Sequence, residues 1–284
     1  MTVENYTKNA LRAAFTLVEL SIVLVIIGLL TGGIMVGQHL ILQASVDAQI
    51  AQLDQFNRAA NTFSGKYGSL PGDLDPLSAT QFGFISRSGA AGQGDGNGLI
   101  EGYAGTPSTA AVFGGEDELF WCDLSSAQLI PYSFSNSANF GTTNIVSATQ
   151  IVNYLPPAKI GGNNYIYVMG TAANNFTNIS TALNRINYFG IEVISGSTTD
   201  GGGRAIGANR SFSVYIANAI DSKIDDGFPT TGNVLAVYLN SEAFDPNPNV
   251  GPATSSSCYD SNTLLYNTSY QSNINCSLVV KTQF

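Results

Sequence analysis

The fold is decided near the N-terminus by one apolar stretch, residues 15–36, which reads FTLVELSIVLVIIGLLTGGIMV. These 22 residues contain a single ionisable side chain, Glu19. A helix of roughly 20 apolar residues is long enough to cross the hydrocarbon core of a bilayer. The stretch therefore predicts a transmembrane helix over residues 15–36.

The residues before this stretch predict its orientation. The segment of residues 1–14 is short and polar and carries Lys8 and Arg12. No Lys or Arg immediately follows the apolar stretch. Because cytoplasmic flanks of membrane helices are enriched in Lys and Arg, we expect the N-terminus in the cytoplasm and the rest of the chain outside the membrane. A secretory signal peptide would have small residues after its apolar part, but the small pair Ala13-Ala14 precedes it here.

Glu19 needs a partner if it lies in a membrane. A carboxylate inside a membrane helix costs about 2.5–3.5 kcal/mol at the centre and less near an end. No Lys or Arg occurs between Phe15 and Asn57. If the chain is cleaved after Ala14, the new α-amino group of Phe15 becomes the nearby cation. Four residues make about one helical turn, so Glu19 can meet this amine in its own chain or in a packed neighbour.

The start of the chain resembles the prepilin signature of type IV pilins and type II secretion pseudopilins. The shared features, over about residues 9–40, are a short basic leader, a small residue, FTLVEL and a long apolar run. The resemblance implies that a membrane aspartic peptidase cuts between Ala14 and Phe15 and N-methylates Phe15. It also implies that Glu19 aligns subunits in a helical filament. The family usually has Gly before the cut, where this chain has Ala14.

The rest of the chain predicts an α+β architecture. Apolar side chains recur every three or four residues after the membrane stretch, so one helix is expected over residues 15–63, half in the membrane and half against a soluble head of residues 64–284. Segments rich in Tyr, Val and Ile predict strands at residues 165–169, 186–194, 234–239 and 276–284. Shorter helices are predicted at residues 121–132 and 212–224. A long helix followed by an antiparallel sheet is α+β, and the resemblance implies a pilin-like fold.

The segment AIDSKIDDGFP carries three carboxylates, Asp221, Asp225 and Asp226. The spacing places Asp221 and Asp225 one turn apart on a helix face, near a helix C-terminus where negative charge opposes the macrodipole. We expect a cation to offset this repulsion. Lys223 is one candidate, and a hard divalent ion such as Ca²⁺, which takes oxygen ligands, is the other. The alternative is a solvated acidic turn.

A second segment, GQGDGNGLIEG, resembles the middle of an EF-hand loop. Asp95 and Asn97 match the third and fifth positions of that loop. Gln93 and Ala104 occupy the two positions that normally carry the strongest ligands. A calcium site would therefore need substitutes, for which the chain offers Glu101, Glu116 and Asp117. The alternative is a Gly-rich turn without an ion.

The cysteines predict one disulfide. Outside the membrane, a bond between Cys258 and Cys276 is the default expectation, and it would stabilise the fold by roughly 3 kcal/mol in the loop-entropy model. It also matches the C-terminal disulfide loop that the resemblance implies. Cys122, beside Trp121, is expected to be a buried thiol. The single His of the chain, His39, lies at the membrane exit and is badly placed for catalysis in the head, so we expect no enzyme activity.

Charge and resemblance together predict a structural protein. Acids outnumber bases 20 to 11, so we expect no nucleic-acid partner. The resemblance implies a subunit of a type IV pilus-like filament, held in the inner membrane and then displayed in an extracellular or periplasmic filament. Its implied partners are homologous pilin subunits, a prepilin peptidase and an inner-membrane assembly platform. Two alternatives stay open: a pseudopilin of a type II secretion system, and an uncleaved membrane-anchored binding or adhesive module.

Overall fold

The computed structural model describes residues 16–85, 94–100, 115–134, 147–171, 185–200, 203–209, 212–237, 258–260, 262–270, 272 and 274–284. The predicted leader, with Ala14, and the following Phe15 lie outside the described residues, as do Gln93, Glu101 and Ala104. The chain divides into two units, residues 1–44 and residues 45–284.

The longest element is α1, a single helix of 51 residues from Leu17 to Tyr67. It extends beyond the predicted end at residue 63 because Gly65 is tolerated inside the helix. Gly68 ends α1 instead: its φ of 86° is left-handed, and its N–H donates to the Ser64 carbonyl at 2.9 Å. A glycine in this conformation is the commonest way to terminate a helix.

The described part of the first unit, residues 16–44, is an apolar helix with an exposed surface. From residue 16 to residue 41 every side chain is exposed except Gly37, which is half-buried. Large apolar side chains stand open, with Leu17 at 84% and Leu29 at 72% of their full exposure. By length and composition α1 is a helix that could cross a membrane. The coarse prediction of a long apolar N-terminal helix is therefore confirmed.

The second unit contains an antiparallel sheet. Its strands are β1 (Asn164–Thr171), β2 (Ile186–Asp200), β3 (Gly203–Asn209), β4 (Phe212–Ser213), β5 (Val234–Val237), β6 (Tyr259–Asp260), β7 (Leu265–Tyr266) and β8 (Ile274–Lys281). β1, β2, β8 and β4 lie side by side in this order, while β3 pairs with β2 and β5 pairs with β8. β6 and β7 form a separate hairpin.

The short helices are α2 (Pro76–Phe82), α3 (Glu116–Ser126) and α4 (Val214–Ile224), with 3₁₀ turns at Ile151–Asn153 and Thr268–Tyr270. A long helix with an antiparallel sheet is the predicted α+β class. The four predicted strands correspond to β1, β2, β5 and β8, although residues 238 and 239 lie outside the described residues.

Two predicted helices differ from the observed ones. The helix predicted over residues 212–224 begins at Val214, because residues 212 and 213 pair with β8 and the Ser213 hydroxyl caps the helix by accepting from the Ile216 N–H. The helix predicted over residues 121–132 is α3, which begins at Glu116 and ends at Ser126. Three acidic residues in its first turn favour the earlier start, since they face the positive end of the helix dipole. The earlier end coincides with Gln128 at a left-handed φ of 58°.

The core of the second unit lies between the later part of α1 and the sheet. Phe56 of α1 is fully buried, and its ring lies 4.9 Å from that of Trp121 and 6.1 Å from that of Phe189. Phe189 and Ile191 point to the same face of β2, because side chains two residues apart share a face. Cys122 is buried and unoxidised beside Trp121, as expected.

Candidate functional site

Glu19 is held at the first turn of α1 by Thr16. The Glu19 Oε2 atom accepts from both the backbone N–H and the hydroxyl of Thr16, each at 2.8 Å. In return the Glu19 N–H donates to the Thr16 hydroxyl at 3.2 Å. This reciprocal pattern is a capping box, which satisfies backbone donors that the start of a helix leaves unpaired.

Sequence reasoning treated Glu19 as an acid in need of a cation and missed this local partner. The signal was present, because Thr16-Leu17-Val18-Glu19 reads T-x-x-E directly before an apolar run. That spacing is the sequence signature of a capping box. Phe15, whose amine was the expected partner, lies outside the described residues.

The other hydroxyls at the start of the apolar helix are also satisfied within the helix. Ser21 donates to the Val18 carbonyl at 2.8 Å, and Thr31 donates to the Ile27 carbonyl at 2.9 Å. A polar group in a membrane needs such an internal acceptor, since lipid offers none. The polar groups in this part of α1 are therefore compatible with an apolar surrounding.

The predicted acidic cluster of the second unit is real but is built differently from the expectation. Asp221 lies in α4 and is fully buried, whereas α4 ends at Ile224 and Asp225 is already outside the helix. The prediction that Asp221 and Asp225 share a helix face is therefore wrong. One carboxylate oxygen from each of Asp221, Asp225 and Asp226 nevertheless lies within 4.8 Å of the others.

The loop after α4 supplies neutral donors to these carboxylates. Asp225 accepts from the Asn233 N–H, and Asp226 accepts from the Phe228 N–H at 2.9 Å and from the Thr231 hydroxyl at 2.7 Å. These hydrogen bonds stabilise the shape of the loop. A carboxylate that accepts from a backbone N–H takes the place of the backbone carbonyl that would accept this bond in an ordinary turn. The carboxylates retain lone pairs, so the cluster could still hold a hard cation.

Asp221 is the fully buried member of this cluster, so its ionised form is disfavoured by the loss of water around it. Its Oδ2 accepts from the Tyr266 hydroxyl at 2.8 Å and its Oδ1 from the Gly227 N–H at 3.2 Å. Burial raises the pKa of Asp221 to about 6, and the nearby Asp225 and Asp226 add to the rise while the two hydrogen bonds oppose it. An ionised Asp221 would therefore be stabilised by a nearby cation.

Lys223 does not serve this cluster through an ion pair. Its Nζ lies 2.5 Å from the Oδ1 of Asp47 on α1, with both side chains partly exposed. Lys223, one of the two candidate cations for the three aspartates, is therefore paired with Asp47 instead. In a helix, residues two positions apart point in different directions, so Lys223 does not share a face with Asp221.

A second acidic cluster combines Asp95 with residues far away in sequence. One carboxylate oxygen each from Asp73, Asp95 and Glu116 lies within 4.8 Å of the others. Asp73 was missed, although it follows the turn Pro71-Gly72. Glu116 was one of the three proposed substitutes, whereas Glu101 lies outside the described residues.

The loop around Asp95 is shaped by Asp73. The two Asp73 oxygens accept from the N–H groups of Gly96 and Gly98, each at 2.8 Å. Asp95 and Asn97 accept from backbone N–H groups two residues ahead, as in Asx turns. Burial raises the pKa of Asp73, and its bonds to the two glycines oppose that rise. The predicted EF-hand geometry is thus replaced by an acid-anchored turn whose carboxylates could hold a cation.

The predicted disulfide links Cys258 and Cys276, and both residues are buried. The bond closes a loop that contains the hairpin of β6 and β7. This hairpin is fastened to α4 by the Tyr266 hydroxyl, which donates to Asp221. The disulfide loop and the acidic cluster are therefore parts of one connected structure.

A buried acid that sequence reasoning missed lies within the sheet. Glu192 of β2 is fully buried, and its Oε1 accepts from the Tyr167 hydroxyl of β1 at 3.0 Å. Gly190 makes room for the Tyr167 ring, because a Cβ at position 190 would clash with it. Burial raises the pKa of Glu192 to about 8, and the bond from Tyr167 opposes this rise. The alternation of side chains along the strand sequence does not show whether an acid such as Glu192 faces the core or the solvent.

No protein-family model, no curated protein and no solved structure matches this chain.

Proposed function

We propose that the protein is a structural subunit of a type IV pilus-like filament, assembled through its apolar N-terminal helix. The observation that carries this proposal is the first unit: an exposed apolar helix whose single acid, Glu19, stands at its start. A helix that is apolar all round is typical of membrane helices and of cores. Removing apolar surface from water is favourable by roughly 25 cal/mol for each Å², so this helix is more stable when its surface is covered.

Two surroundings can cover such a helix, lipid and other copies of the same helix. A subunit of this family would use both in turn, first in the inner membrane and then in the filament. The T-x-x-E start and the long continuous α1 support this proposal, because the same helix continues without a break into the head. The proposed partners are homologous pilin subunits, a prepilin peptidase and an inner-membrane assembly platform. The filament would then be extracellular or periplasmic.

The head is proposed to act as a folded display surface and not as an enzyme. Its disulfide loop and its two acid-anchored loops are held by hydrogen bonds to the core. Such rigid loops suit a surface that must keep its shape outside the cell. We propose no nucleic-acid partner, because the chain carries a formal net charge of −9.

The first test is the mass of the N-terminal peptide from protein purified out of its native membrane. We expect a peptide that starts at Phe15 and is heavier by one methyl group. Ala14→Gly should keep this product, whereas Ala14→Leu should leave the leader attached. A wild-type peptide that starts near Met1 would contradict processing and favour the alternative of an uncleaved membrane-anchored binding or adhesive module.

The second test addresses assembly. Glu19→Ala should leave membrane insertion intact and reduce the yield of filaments, because the acid that meets the neighbouring Phe15 amine is gone. Ser21→Ala is the matched control, since the Ser21 hydroxyl only returns to its own helix at the Val18 carbonyl. Equal filament yields for Glu19→Ala and wild type would contradict the assembly role.

The same strains separate a pilus from a secretion pseudopilus. A pilus subunit is expected in filaments sheared from the cell surface. A pseudopilin of a type II secretion system is expected to stay with the envelope, and its deletion should retain secreted enzymes in the periplasm. This second function is kept because both families share the N-terminal signature described above.

Calcium binding is a further part of the proposal. Its support is the convergence of three carboxylates within 4.8 Å in each acidic cluster, one around Asp221 and one around Asp73. Carboxylate oxygens are the ligands that Ca²⁺ takes, and calcium is abundant outside cells. Titration of the folded protein with Ca²⁺, followed by isothermal calorimetry, tests it directly.

A further inference from the structure

A cavity of about 310 Å³ lies in the second unit, between the later part of α1, the end of α4 and the end of β8. Its volume is at the lower end of the roughly 300–1,000 Å³ that is usual for ligand pockets, so it fits a small molecule. We propose that this cavity binds a free α-amino acid with an apolar side chain. The inference goes beyond the proposed filament and does not depend on it.

The cavity has apolar walls on three elements. Four aliphatic side chains line it, of which Leu53 and Val280 are buried while Ile50 and Ile224 are half-buried. Val280 pairs directly with Phe189, so both side chains are on the face of the sheet that packs against α1. Such walls bind an aliphatic group by removing its surface from water.

Asn57 supplies a hydrogen-bond donor to this cavity. Its side chain lines the cavity and is only 5% exposed. The Asn57 Oδ1 accepts from the Gln283 N–H at 2.9 Å, which fixes the orientation of the amide and leaves the N–H groups of Nδ2 for a ligand. Within the described residues these N–H groups have no acceptor. A buried donor without an acceptor costs free energy, so an oxygen atom of a ligand placed here would be stabilised.

Asp54 supplies a negative charge beside this donor. It lines the cavity one turn before Asn57, and residues three apart on a helix are neighbours on its surface. No donor among the described residues bonds to the Asp54 carboxylate, whereas Asp47 on the same helix is paired with Lys223. A carboxylate in this position attracts an ammonium group, and charge-assisted hydrogen bonds are stronger than neutral ones.

An acceptor for an ammonium group and a donor for a carboxylate oxygen therefore lie side by side next to apolar walls. An α-amino acid carries its ammonium group, its carboxylate and its side chain on one carbon atom. Asp54 then binds the ammonium group, the Asn57 Nδ2 donates to the carboxylate, and the side chain occupies the apolar part of the cavity. An amine without a carboxylate leaves Asn57 without an acceptor, and a carboxylate without an amine leaves Asp54 without a donor.

Isothermal calorimetry of the full-length protein in lipid nanodiscs tests the site, with L-leucine as the probe. Two analogues keep the leucine side chain and lack one charged group: 3-methylbutylamine has no carboxylate, and 4-methylpentanoate has no ammonium group. We expect each analogue to bind at least about tenfold more weakly than L-leucine, because each loses one charge-assisted hydrogen bond.

Three variants connect this binding to the cavity. Asp54→Asn removes the charge that meets the ammonium group, so it should weaken L-leucine about tenfold and should not weaken 4-methylpentanoate. Asn57→Asp keeps an acceptor for the Gln283 N–H but removes the Nδ2 donor, so it should weaken L-leucine and not 3-methylbutylamine. Asp47→Asn is the matched control, because Asp47 lies on the same helix outside the cavity lining.

The amino-acid site would be overturned if wild-type protein did not bind L-leucine, if Asp54→Asn bound it equally well, or if the two analogues bound as tightly as L-leucine. Loss of filaments in Asp54→Asn, without any binding of L-leucine to wild type, would assign the cavity to a second copy of the chain and would also overturn the site. The calorimetry uses the unassembled protein, so its result stands even if the filament proposal fails.

Discussion

Polar side chains of α1 find different partners in the two units. In the first unit, Glu19 and the two hydroxyls of Ser21 and Thr31 bond to partners three or four residues away. In the second unit, Thr62 also bonds locally, to the Arg58 carbonyl, but other polar side chains of the same helix bond across the chain. Gln52 donates to the Pro157 carbonyl at 2.9 Å, and Asn57 accepts from the Gln283 N–H at 2.9 Å.

Local partners do not depend on what surrounds the helix, whereas distant partners tie the later part of α1 to the rest of the second unit. A helix whose polar groups are satisfied locally keeps them satisfied in lipid or against another helix. A helix bound to distant backbone groups is fixed in one packing, because removing it would leave buried groups unpaired. The boundary falls within α1, between residues 44 and 45.

The largest expected effect comes from truncating an apolar side chain in each part of α1. Phe56→Ala should lower the free energy of unfolding of the second unit by about 3–5 kcal/mol, since the fully buried ring contacts Trp121 and Phe189. Leu24→Ala, at a position 69% exposed, should leave it unchanged. Chemical unfolding in detergent, followed by the fluorescence of the single Trp, measures both. Equal losses from the two substitutions would break the comparison.

The next effect is a pH dependence that belongs to the second unit. Glu192 has a pKa of about 8 when folded, against 4.5 as the ordinary value, so the folded state binds its proton more tightly. The free energy of unfolding should therefore fall as pH rises from about 4.5 to about 8, with a slope of up to ~1.4 kcal/mol per pH unit for one proton. Urea unfolding at several pH values measures this slope.

Glu192→Gln is the matched variant for this prediction. The amide keeps the shape of the side chain and an acceptor for the Tyr167 hydroxyl, but it carries no charge at any of these pH values. The slope between pH 7 and 8 should flatten in the variant, whereas part of the slope below pH 7 should remain, because burial also raises the pKa of Asp123 to about 7 and that of Asp221 to about 6. An unchanged slope between pH 7 and 8 would assign the pH dependence to a group other than Glu192.

The sequence was most informative where a pattern repeats. The α+β class, the four main strands and the long N-terminal helix follow from periodicity, because these depend on local preference, whereas α1 ends at Tyr67 and not at the predicted residue 63. The disulfide could be predicted because the expected location outside the membrane and the small number of cysteines restrict the choice.

The candidate sites were only partly predictable, because their members come together through folding. Asp73 joins Asp95 and Glu116 across intervening segments, and Lys223 pairs with Asp47 on a different helix. Glu192 is fully buried in β2, opposite Tyr165 of β1, which its own sequence neighbours do not reveal. The Thr16–Glu19 box follows from the T-x-x-E spacing, whereas the charge of Glu19 taken alone predicts a cationic partner.

A smaller effect is expected from calcium. If Ca²⁺ binds the folded head but not the unfolded chain, a Ca²⁺ concentration of a hundred times the dissociation constant should raise the free energy of unfolding by about 2.7 kcal/mol. Asp226→Asn tests the cluster around Asp221, and Asp95→Asn tests the cluster around Asp73. Thermal unfolding with Ca²⁺ and with a chelator, on both variants, assigns the ion to one cluster. A midpoint that is the same in Ca²⁺ and in chelator for wild type would exclude binding to the folded head.

The smallest expected effect concerns the ion pair between Lys223 and Asp47. Both side chains are partly exposed, so a double-mutant cycle with Lys223→Ala and Asp47→Ala should give a coupling energy below about 1 kcal/mol, weaker in high salt. The cycle also tests where Lys223 acts. If Lys223 belongs to Asp47, a second cycle with Asp226→Asn should show almost no coupling. A larger coupling energy between Lys223 and Asp226 than between Lys223 and Asp47 would show that Lys223 acts mainly on the acidic cluster. The cluster would then already hold its own cation and would have less need of calcium.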